Sequence, residues 1–310
     1  MIDVLVIGSG PAGYTAAIYG ARAGRSTKII TGSQQGGQLM ITSFIENYPG
    51  FVDPISGPVL MDQMRQQTQK MGVEMICDTV EYVDFSKKPF ICVGESKVVY
   101  ESKTVIIATG ANAKWLDVPG EKKYQGSGVS ACATCDGFFF RNKNVAVIGG
   151  GNTAVEDAIY LTKFAKSVTL IHRRDELRAE KVMQERLFSN PKIEMMWNTT
   201  VVEVLGDDHK VTELLLAGTL NKCETKKSVD GVFVAIGHQP ATSIFADQLK
   251  IDENGYIITN KVGASTSVPG IFAAGDVCNP TYRQAIVSAG QGCVAALDAD
   301  TFLSENWCRR

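Results

Sequence analysis

Two stretches of the chain share one pattern, in which a short apolar run meets a glycine cluster and then a segment with helical spacing. The first stretch runs from the mainly apolar segment Asp3–Ile7 through Gly8–Gly13 to a helix of small residues that stops at Gly24. A second apolar run follows at Thr27–Ile30. Apolar runs of this length, rich in β-branched residues, are typical of buried parallel strands. The pattern therefore predicts a βαβ unit.

The second stretch repeats this order. The apolar run Asn144–Ile148 meets Gly149–Ala154, a helix is predicted to about Phe164, and a strand is predicted at Ser167–Ile171. In such a loop the first glycine makes a tight turn, the second admits a pyrophosphate, and the helix amino terminus offers free N–H groups to the phosphates. A purely structural glycine turn is the alternative for either copy alone. Two copies in the same context indicate two nucleotide sites.

The residue at the end of the second strand of such a unit indicates which nucleotide binds. An acid there binds the ribose of NAD, whereas arginine accommodates the 2′-phosphate of NADP. The second unit has His172, Arg173, Arg174 and Arg178 there, with no acid before Asp175. Three guanidinium groups favour NADPH, and a solvated basic helix start is the alternative.

The first unit has Thr31 at the corresponding position, which is neither acidic nor basic. Its ligand is therefore not assigned by this rule.

The rest of the chain suggests a duplicated architecture. Val105–Gly110 and Val232–Gly237 are similar strand-to-glycine pieces, each following one nucleotide unit, and the remainder is too short for a third domain. We expect an α/β protein with two Rossmann-like, three-layer nucleotide-binding domains. The predicted bounds are 1–112 with 245–310 for the first domain, 117–242 for the second, and 113–116 and 243–246 for the hinge segments.

Composition restricts the class of protein. The chain has 310 residues, 45% hydrophobic and 21% charged, with a net charge of −2, which is typical of a globular protein and gives no reason to expect nucleic acid. No apolar run approaches the length of a membrane span. Met1–Gly13 contains no lysine or arginine, so no export signal is indicated. Eight cysteines without such a signal do not suggest a secreted disulfide scaffold, and we expect a cytoplasmic protein with mostly reduced, buried thiols.

One cysteine pair stands apart, because Cys132 and Cys135 are separated by two residues and Asp136 follows. The spacing permits a disulfide in a tight turn and favours a reactive thiol. Structural zinc would need a second pair or nearby histidines, and the three histidines are scattered, so no metal site is expected. Asp136 is a candidate proton donor, with a helix cap as the alternative. Phe138–Phe140 is either core or an aromatic docking patch.

Together these motifs resemble the bacterial-type, low-molecular-weight thioredoxin reductases, class II of the pyridine nucleotide-disulfide oxidoreductase family, across essentially the whole chain. That family also has no acid at the Thr31 position. The motifs that carry the resemblance are Gly8–Gly13, Gly36–Gln38, Glu46–Gly50, Cys132–Gly137, Gly149–Glu156, His172–Arg174 with Arg178, Gly275–Asp276 and Tyr282–Ala285.

The resemblance implies that the first domain binds FAD and the second binds NADPH. The residues it assigns to FAD are Gly8, Gly10, Pro11, Ala12, Gly13, Thr31, Gly32, Gln35, Gly36, Gly37, Gln38, Asn47, Val80, Gly110, Gly275, Asp276, Arg283, Gln284 and Ala285. Those it assigns to NADPH are Gly149, Gly151, Asn152, Thr153, Ala154, Glu156, His172, Arg173, Arg174, Arg178, Ile236 and Gly237.

The resemblance also implies the reaction. Hydride would pass from NADPH to FAD, and electrons would then pass to the Cys132–Cys135 disulfide and on to thioredoxin. Cys135 would lie nearer the flavin, Cys132 would attack thioredoxin, and Asp136 would donate the proton. The dithiol and the nicotinamide would compete for one flavin face, so the NADPH domain is expected to rotate between half-reactions. A homodimer is implied as well.

Three other functions share some of these features. A flavin-dependent dithiol oxidase would share the fold but should lack the Arg173, Arg174 and Arg178 cluster. A peroxidase-coupled reductase should carry an added amino-terminal thioredoxin-like region, whereas this chain begins at its first strand. A non-catalytic redox sensor would use Cys132–Cys135 as a switch. At the other end of the chain, Cys308 is either a reactive thiol or part of a frayed terminus.

Overall fold

The protein is described here by a computed structural model that covers residues 1–42, 44–260 and 262–307. The chain forms two compact units. Unit 1 comprises Met1–Asn112 and the segment that begins at Gln239, and unit 2 comprises Ala113–His238. Across the described ranges, no helix has both the length and the apolar character that crossing a membrane would require. The expectation about Cys308 lies outside the described residues.

Both units combine strands with helices. The strands are β1 (Ile2–Ile7), β2 (Thr27–Ile30), β3 (Glu74–Ile76), β4 (Val80–Asp84), β5 (Phe90–Gly94), β6 (Val99–Ile107), β7 (Ala111–Ala113), β8 (Val129–Ser130), β9 (Asn144–Ile148), β10 (Ser167–Ile171), β11 (Ile193–Met196), β12 (Thr199–Gly206), β13 (Val211–Gly218), β14 (Glu224–Ser228), β15 (Gly231–Val234), β16 (His238–Pro240) and β17 (Ile271–Ala273). The α-helices are α1 (Pro11–Arg22), α2 (Gly57–Lys70), α3 (Ala133–Asp136), α4 (Asn152–Leu161), α5 (Lys181–Phe188) and α6 (Ala285–Asn306). Short 3₁₀ helices span Gly37–Ile41, Lys122–Tyr124, Gly137–Phe140 and Ser243–Phe245.

Unit 1 is built on a sheet of order β3-β2-β1-β6-β5-β4, with β17 also paired to β6. The strands β1, β2, β3, β6 and β17 run parallel, and β4, β5 and β6 form an antiparallel meander. The central strand β1 is apolar except at Asp3, because both of its faces are covered. On one face α1 packs closely against α6, whose buried side is made of small residues such as Ala295, Ala296 and Ala299.

Unit 2 is built on a fully parallel sheet of order β11-β10-β9-β15-β8. Helix α4 covers one face through Ala154, Val155 and Ala158. The other face is covered by a separate antiparallel sheet, β12-β13-β14, whose Leu214 and Leu216 are fully buried. The prediction of an α/β protein with parallel, nucleotide-type sheets is confirmed.

The two places where the chain passes between the units lie in β7 and β16, which pair with each other as a two-stranded sheet. The division falls after Asn112 and after His238. The Lys114 N–H donates to the Gly237 carbonyl within unit 2 at 3.0 Å, and the Ala241 N–H donates to the Gly110 carbonyl within unit 1 at 3.0 Å. The expected hinge segments 113–116 and 243–246 remain a prediction.

Candidate active site

The redox cysteines lie in a short turn of unit 2. Strand β8 ends at Ser130, and Cys132 caps the four-residue helix α3, with the Cys135 N–H donating to Cys132 Sγ at 3.2 Å. The two cysteines form a disulfide, and their Cα atoms are 5.3 Å apart. One helical turn brings positions three residues apart onto the same side, so the two-residue spacing places both sulfurs together. The turn is therefore suited to reversible disulfide chemistry.

Polar groups surround this disulfide. The Thr134 hydroxyl lies 3.4 Å from Cys132 Sγ, and the Cys132 N–H donates to Ser130 Oγ at 3.0 Å. Burial raises the pKa of the Asp136 carboxyl, and a hydrogen bond with Ser130 partly opposes that rise. A carboxyl with a raised pKa keeps its proton closer to neutral pH, which suits a proton donor beside a departing thiolate.

The three phenylalanines after the turn have different environments. Phe140 is buried and packs edge-on against Phe233, with ring centroids 5.2 Å apart. In contrast, Phe138 is 52% exposed and Phe139 is 38% exposed. Arg141 lies over the Phe138 ring, 5.7 Å from its centroid. The prediction of core packing is therefore confirmed for Phe140 alone. The other two rings form an aromatic surface beside the cysteines.

The second glycine loop follows β9 in the same unit. Gly149 adopts φ +158°, and a side chain there would lie 2.4 Å from the Ala235 carbonyl oxygen. Gly151 is the N-cap of α4 in extended conformation, and no side chain caps that helix or places an acid in its first turn. The amino-terminal N–H groups are thus available to an anion.

The predicted NADPH residues at the end of β10 meet this loop. The His172 ring covers Gly150 so closely that a Cβ on Gly150 would lie 2.2 Å from it, and the Arg178 N–H donates to the Gly150 carbonyl at 2.7 Å. His172 is buried with Nε2 unpartnered, and burial lowers its pKa, so the imidazole is neutral at neutral pH. Arg173 and Arg174 are exposed. A free polar nitrogen, an uncapped helix and exposed guanidinium groups fit a nucleotide that carries a 2′-phosphate.

The first glycine loop, in unit 1, has similar close packing. A Cβ on Gly8, at φ +109°, would lie 2.3 Å from the Ala108 carbonyl oxygen, and one on Gly13 would lie 1.8 Å from the Gly8 carbonyl oxygen. Ser9 Oγ donates to the Thr31 carbonyl at 2.7 Å and accepts from the Gly36 N–H at 3.1 Å. The structure therefore brings together the loop, the end of β2 and the segment before the first 3₁₀ helix.

Three other predicted FAD residues make side-chain hydrogen bonds within unit 1. Gln38 Nε2 donates to Asn112 Oδ1 at 2.8 Å, and Asn47 Nδ2 donates to Gln284 Oε1 at 3.2 Å. Gln284 is the N-cap of α6, which has no side-chain cap and no acid in its first turn, so its positive end suits an electron-rich ring.

Two more predicted FAD residues lie in contrasting surroundings. Asp276 accepts from the Ser288 hydroxyl at 3.0 Å, and burial raises its pKa. Val80 differs from the set, because its side chain packs in the hydrophobic core and leaves only its backbone for a ligand.

The remaining described cysteines are not uniformly buried. Cys92 is buried, and burial raises its pKa to about 12. Cys77 and Cys223 are exposed, so the expectation of buried thiols is wrong for these two. Cys278 and Cys293 are partly buried.

Three hydroxyls at the site are not predicted by the sequence pattern, those of Ser9, Ser130 and Thr134. Each of them lies inside or beside a recognised motif, where a short hydroxyl side chain can reach neighbouring backbone groups. Their position inside or beside a motif is the sequence signal that could have identified them. The partner of each hydroxyl depends on the fold.

The chain matches the pyridine nucleotide-disulphide oxidoreductase family over residues 2–292. It is 51% identical to the thioredoxin reductase of Rickettsia felis over 304 residues, which cover 97% of this chain and 98% of that protein. It is 50% identical to the bifunctional thioredoxin reductase/thioredoxin of Mycobacterium leprae, covering 98% of this chain and 66% of that protein. The crystal structure of thioredoxin reductase from Streptococcus pyogenes matches with a TM-score of 0.94 at 45% identity, covering 98% of this chain and 99% of that one.

Proposed function

Because this chain belongs to the pyridine nucleotide-disulphide oxidoreductase family, and within it to the thioredoxin reductases, we propose that it reduces the disulfide of thioredoxin with NADPH, using FAD and the Cys132–Cys135 pair. The observation that carries the proposal is that pair, formed as a disulfide in one helical turn and flanked by Asp136 and exposed aromatic rings. The bifunctional relative, whose name joins a reductase with a thioredoxin, supports thioredoxin as the partner.

Unit 1 would hold FAD and unit 2 would hold NADPH. In unit 1, Gly8–Gly13 and the amino end of α1 would bind the pyrophosphate, and Gln284 and Ala285 at the amino end of α6 would face the flavin. In unit 2, Gly149–Ala154 would bind the NADPH pyrophosphate, with the arginines after β10 at the 2′-phosphate. When bound, FAD accepts a hydride from NADPH and delivers the electron pair to a disulfide, a transfer that nicotinamide does not make usefully on its own.

The chain's own residues then carry out the thiol exchange. The Cys132 thiolate attacks one sulfur of the thioredoxin disulfide, whose S–S bond breaks, and the departing thiolate takes a proton that Asp136 supplies. The Cys135 thiolate next attacks Cys132 Sγ, which re-forms the Cys132–Cys135 bond and releases the second thioredoxin sulfur. Thioredoxin is thereby reduced by two electrons and the cysteine pair is oxidised. Exposed Phe138 and Phe139 would form the docking surface.

Three finer features belong to the same proposal. The redox pair and the second glycine loop lie in one unit, so unit 2 is proposed to rotate between the two half-reactions. The resemblance also supports a homodimer. A cytoplasmic location is proposed because the chain has reduced cysteines outside the redox pair.

Single cysteine variants separate the two halves of the reaction. Cys132→Ser and Cys135→Ser should each bind FAD and lose its visible absorbance on addition of NADPH, because that step needs no thiol. Thioredoxin turnover should be lost in both. Cys135→Ser should trap thioredoxin as a mixed disulfide through Cys132, because no resolving thiol remains. Cys223→Ser, which removes an exposed thiol elsewhere in unit 2, should match the wild type.

The result that contradicts the proposal is equally specific. Near wild-type thioredoxin reduction by either active-cysteine variant would show that electrons do not pass through this pair. Slow NADPH-dependent loss of flavin absorbance in the wild-type protein, without thioredoxin turnover, would favour the redox sensor. Oxygen consumption with a dithiol substrate in place of NADPH would favour the dithiol oxidase.

A further inference from the structure

Asn152 lies in the second glycine loop, but its side chain is bound to a neighbouring segment. It is the first residue of α4, and its Oδ1 accepts from the N–H of Glu180, the N-cap of α5, at 2.8 Å. Its Nδ2 lies 3.5 Å from Glu180 Oε1, at the outer limit of a hydrogen bond. The short bond through Oδ1 therefore joins the loop to the start of α5.

The segment joined in this way, 177–180, contains one of the arginines proposed for the 2′-phosphate. The Arg178 N–H donates to the Gly150 carbonyl at 2.7 Å, so the loop holds this segment at two points that are two residues apart. Leu177 and Ala179 are buried in the core of unit 2, and Arg178 between them is exposed. Burial of the residue on each side therefore turns the Arg178 side chain outward.

Helix α5 also holds this segment. Gln184 Nε2 donates to the Ala179 carbonyl at 2.7 Å and lies 3.4 Å from the Leu177 carbonyl oxygen. Among the residues that the structure describes, the Arg178 guanidinium has no ion-pair partner. The backbone of Arg178 is thus fixed while its charged end is left for an anion, which lowers the conformational entropy that binding must overcome.

These contacts connect the two phosphate subsites of one nucleotide. The loop would bind the pyrophosphate and the arginines would meet the 2′-phosphate, so both groups are recognised together only if the loop and the arginine segment keep a fixed separation. We propose that Asn152 is a positioning residue for nucleotide selectivity, which holds the Arg178 segment on the loop so that the guanidinium meets the 2′-phosphate of NADPH. This inference rests on the proposed function. Asn152 thereby favours NADPH over NADH, which has the pyrophosphate but no 2′-phosphate.

Titration of the holoenzyme with NADP⁺ and NAD⁺ tests this role, because the two differ only in the 2′-phosphate and neither reduces the flavin. Asn152→Ala should weaken NADP⁺ about fivefold and NAD⁺ by less than about twofold, whereas a general loosening of the loop would weaken both equally. Asn144→Ala is the matched control. It removes the acceptor of the Ser167 hydroxyl, at 2.9 Å, at the opposite end of β9, and should keep both dissociation constants.

A second variant reaches the same segment without altering the loop. Gln184→Ala should lower the preference for NADP⁺ over NAD⁺ about threefold, because the Ala179 carbonyl loses its donor. Where Asn152→Ala does not fold, an unchanged preference in Gln184→Ala overturns the inference, because fixing of the segment would then not matter.

A double variant separates action through Arg178 from other causes. Arg178→Ala should weaken NADP⁺ about tenfold, and adding Asn152→Ala should lower the preference for NADP⁺ no further, since Asn152 acts through Arg178. Additive changes in preference, equal losses for NADP⁺ and NAD⁺ in Asn152→Ala, or a wild-type preference in that variant would overturn the inference. If the wild-type holoenzyme binds NADP⁺ no more tightly than NAD⁺, the NADPH assignment in the proposed function fails instead.

Discussion

The two glycine loops have nearly the same backbone but are joined to their neighbouring strands in opposite ways. Their helices begin at extended N-caps, Gly10 with ψ −177° and Gly151 with ψ −177°, and neither helix has a side-chain cap. In the first loop, the side chain of Ser9 reaches out to the end of β2. In the second loop the corresponding residue is Gly150, and His172 reaches in from the end of β10 to cover it.

We propose that the loops bind the phosphates of both nucleotides, and that the residues at the end of the second strand distinguish the two nucleotides. In unit 1, Ser9 binds a backbone group at the end of β2, the Thr31 carbonyl, and Thr31 itself carries no charge. In unit 2 the strand end supplies an imidazole and exposed arginines. One loop geometry therefore serves two different proposed nucleotides.

Substitutions at the sixth position of the two loops should differ most in their effect on stability. Gly13→Ala would place a methyl group 1.8 Å from the Gly8 carbonyl oxygen, a clash that should cost about 3 kcal/mol and most of the bound flavin. The corresponding Ala154 already has a methyl group, so Ala154→Gly should cost only about 1 kcal/mol. Thermal unfolding and the flavin absorbance of each purified variant measure both effects. Wild-type flavin content in Gly13→Ala would mean that the loop adjusts freely.

The next largest effect is expected at the end of β10, where the arginines should distinguish NADPH from NADH. Replacing Arg173 and Arg174 together by alanine should weaken NADPH about a hundredfold, because each charge-assisted bond is worth roughly 1.5–3 kcal/mol. NADH binding should change little, since it has no 2′-phosphate. Calorimetric titration of both nucleotides gives the two dissociation constants, with Arg186→Ala as an exposed arginine control in the same unit. Equal losses for NADPH and NADH would contradict the 2′-phosphate assignment.

Substitutions at the second position of each loop, Ser9 and Gly150, test the two different contacts with the strand ends. Ser9→Gly removes two hydrogen bonds of about 1 kcal/mol each, so FAD should bind up to roughly thirty times more weakly. Gly150→Ser would press its side chain on the His172 ring, and should weaken NADPH and NADH by similar factors. Fluorescence titration of FAD into the apoprotein and calorimetry for the nicotinamides provide the measurements. Selective loss of NADPH alone in Gly150→Ser would show that His172 acts at the 2′-phosphate.

The smallest effect is expected at Asp78, which hydrogen-bonds to the segment that follows β2. The Gly32 N–H donates to the Asp78 carbonyl at 3.0 Å, and hydrogen bonds led by Ser96 lower the pKa of the Asp78 carboxyl to about 2. Because this folded pKa is below the unfolded value of about 3.9, its stabilising contribution is present above that value and is lost as pH falls towards 2. Asp78→Asn should therefore remove part of the acid sensitivity of the melting temperature.

The control for that measurement is Asp53→Asn, which replaces another exposed carboxylate in unit 1. Melting temperatures recorded from about pH 5 down to pH 2 should fall in parallel for this control and the wild type, and less steeply for Asp78→Asn. Three parallel curves would show that the Asp78 hydrogen bonds do not contribute to folding.

Local chemistry was sufficient to predict the nucleotide units. The strands Thr27–Ile30, Asn144–Ile148 and Ser167–Ile171 lie where the apolar runs predicted them. The first helix begins at Pro11, inside the Gly8–Gly13 motif, because proline at the first helical position replaces an N–H that has no partner. The antiparallel sheet of unit 2 was not predicted, because alternation along a strand does not identify the face it covers.

The amino-acid sequence alone predicts the two glycine loops, the βαβ units around them, the cysteine spacing and the arginines after the second unit. These features depend on residues close in the chain, where sterics and periodicity decide the outcome. Folding is needed to establish which of three adjacent phenylalanines is buried, which thiols are exposed, and that the Ser130 hydroxyl accepts from the Cys132 N–H. Burial and hydrogen-bond partners at these positions depend on distant segments, and no local pattern encodes the packing that brings those segments together.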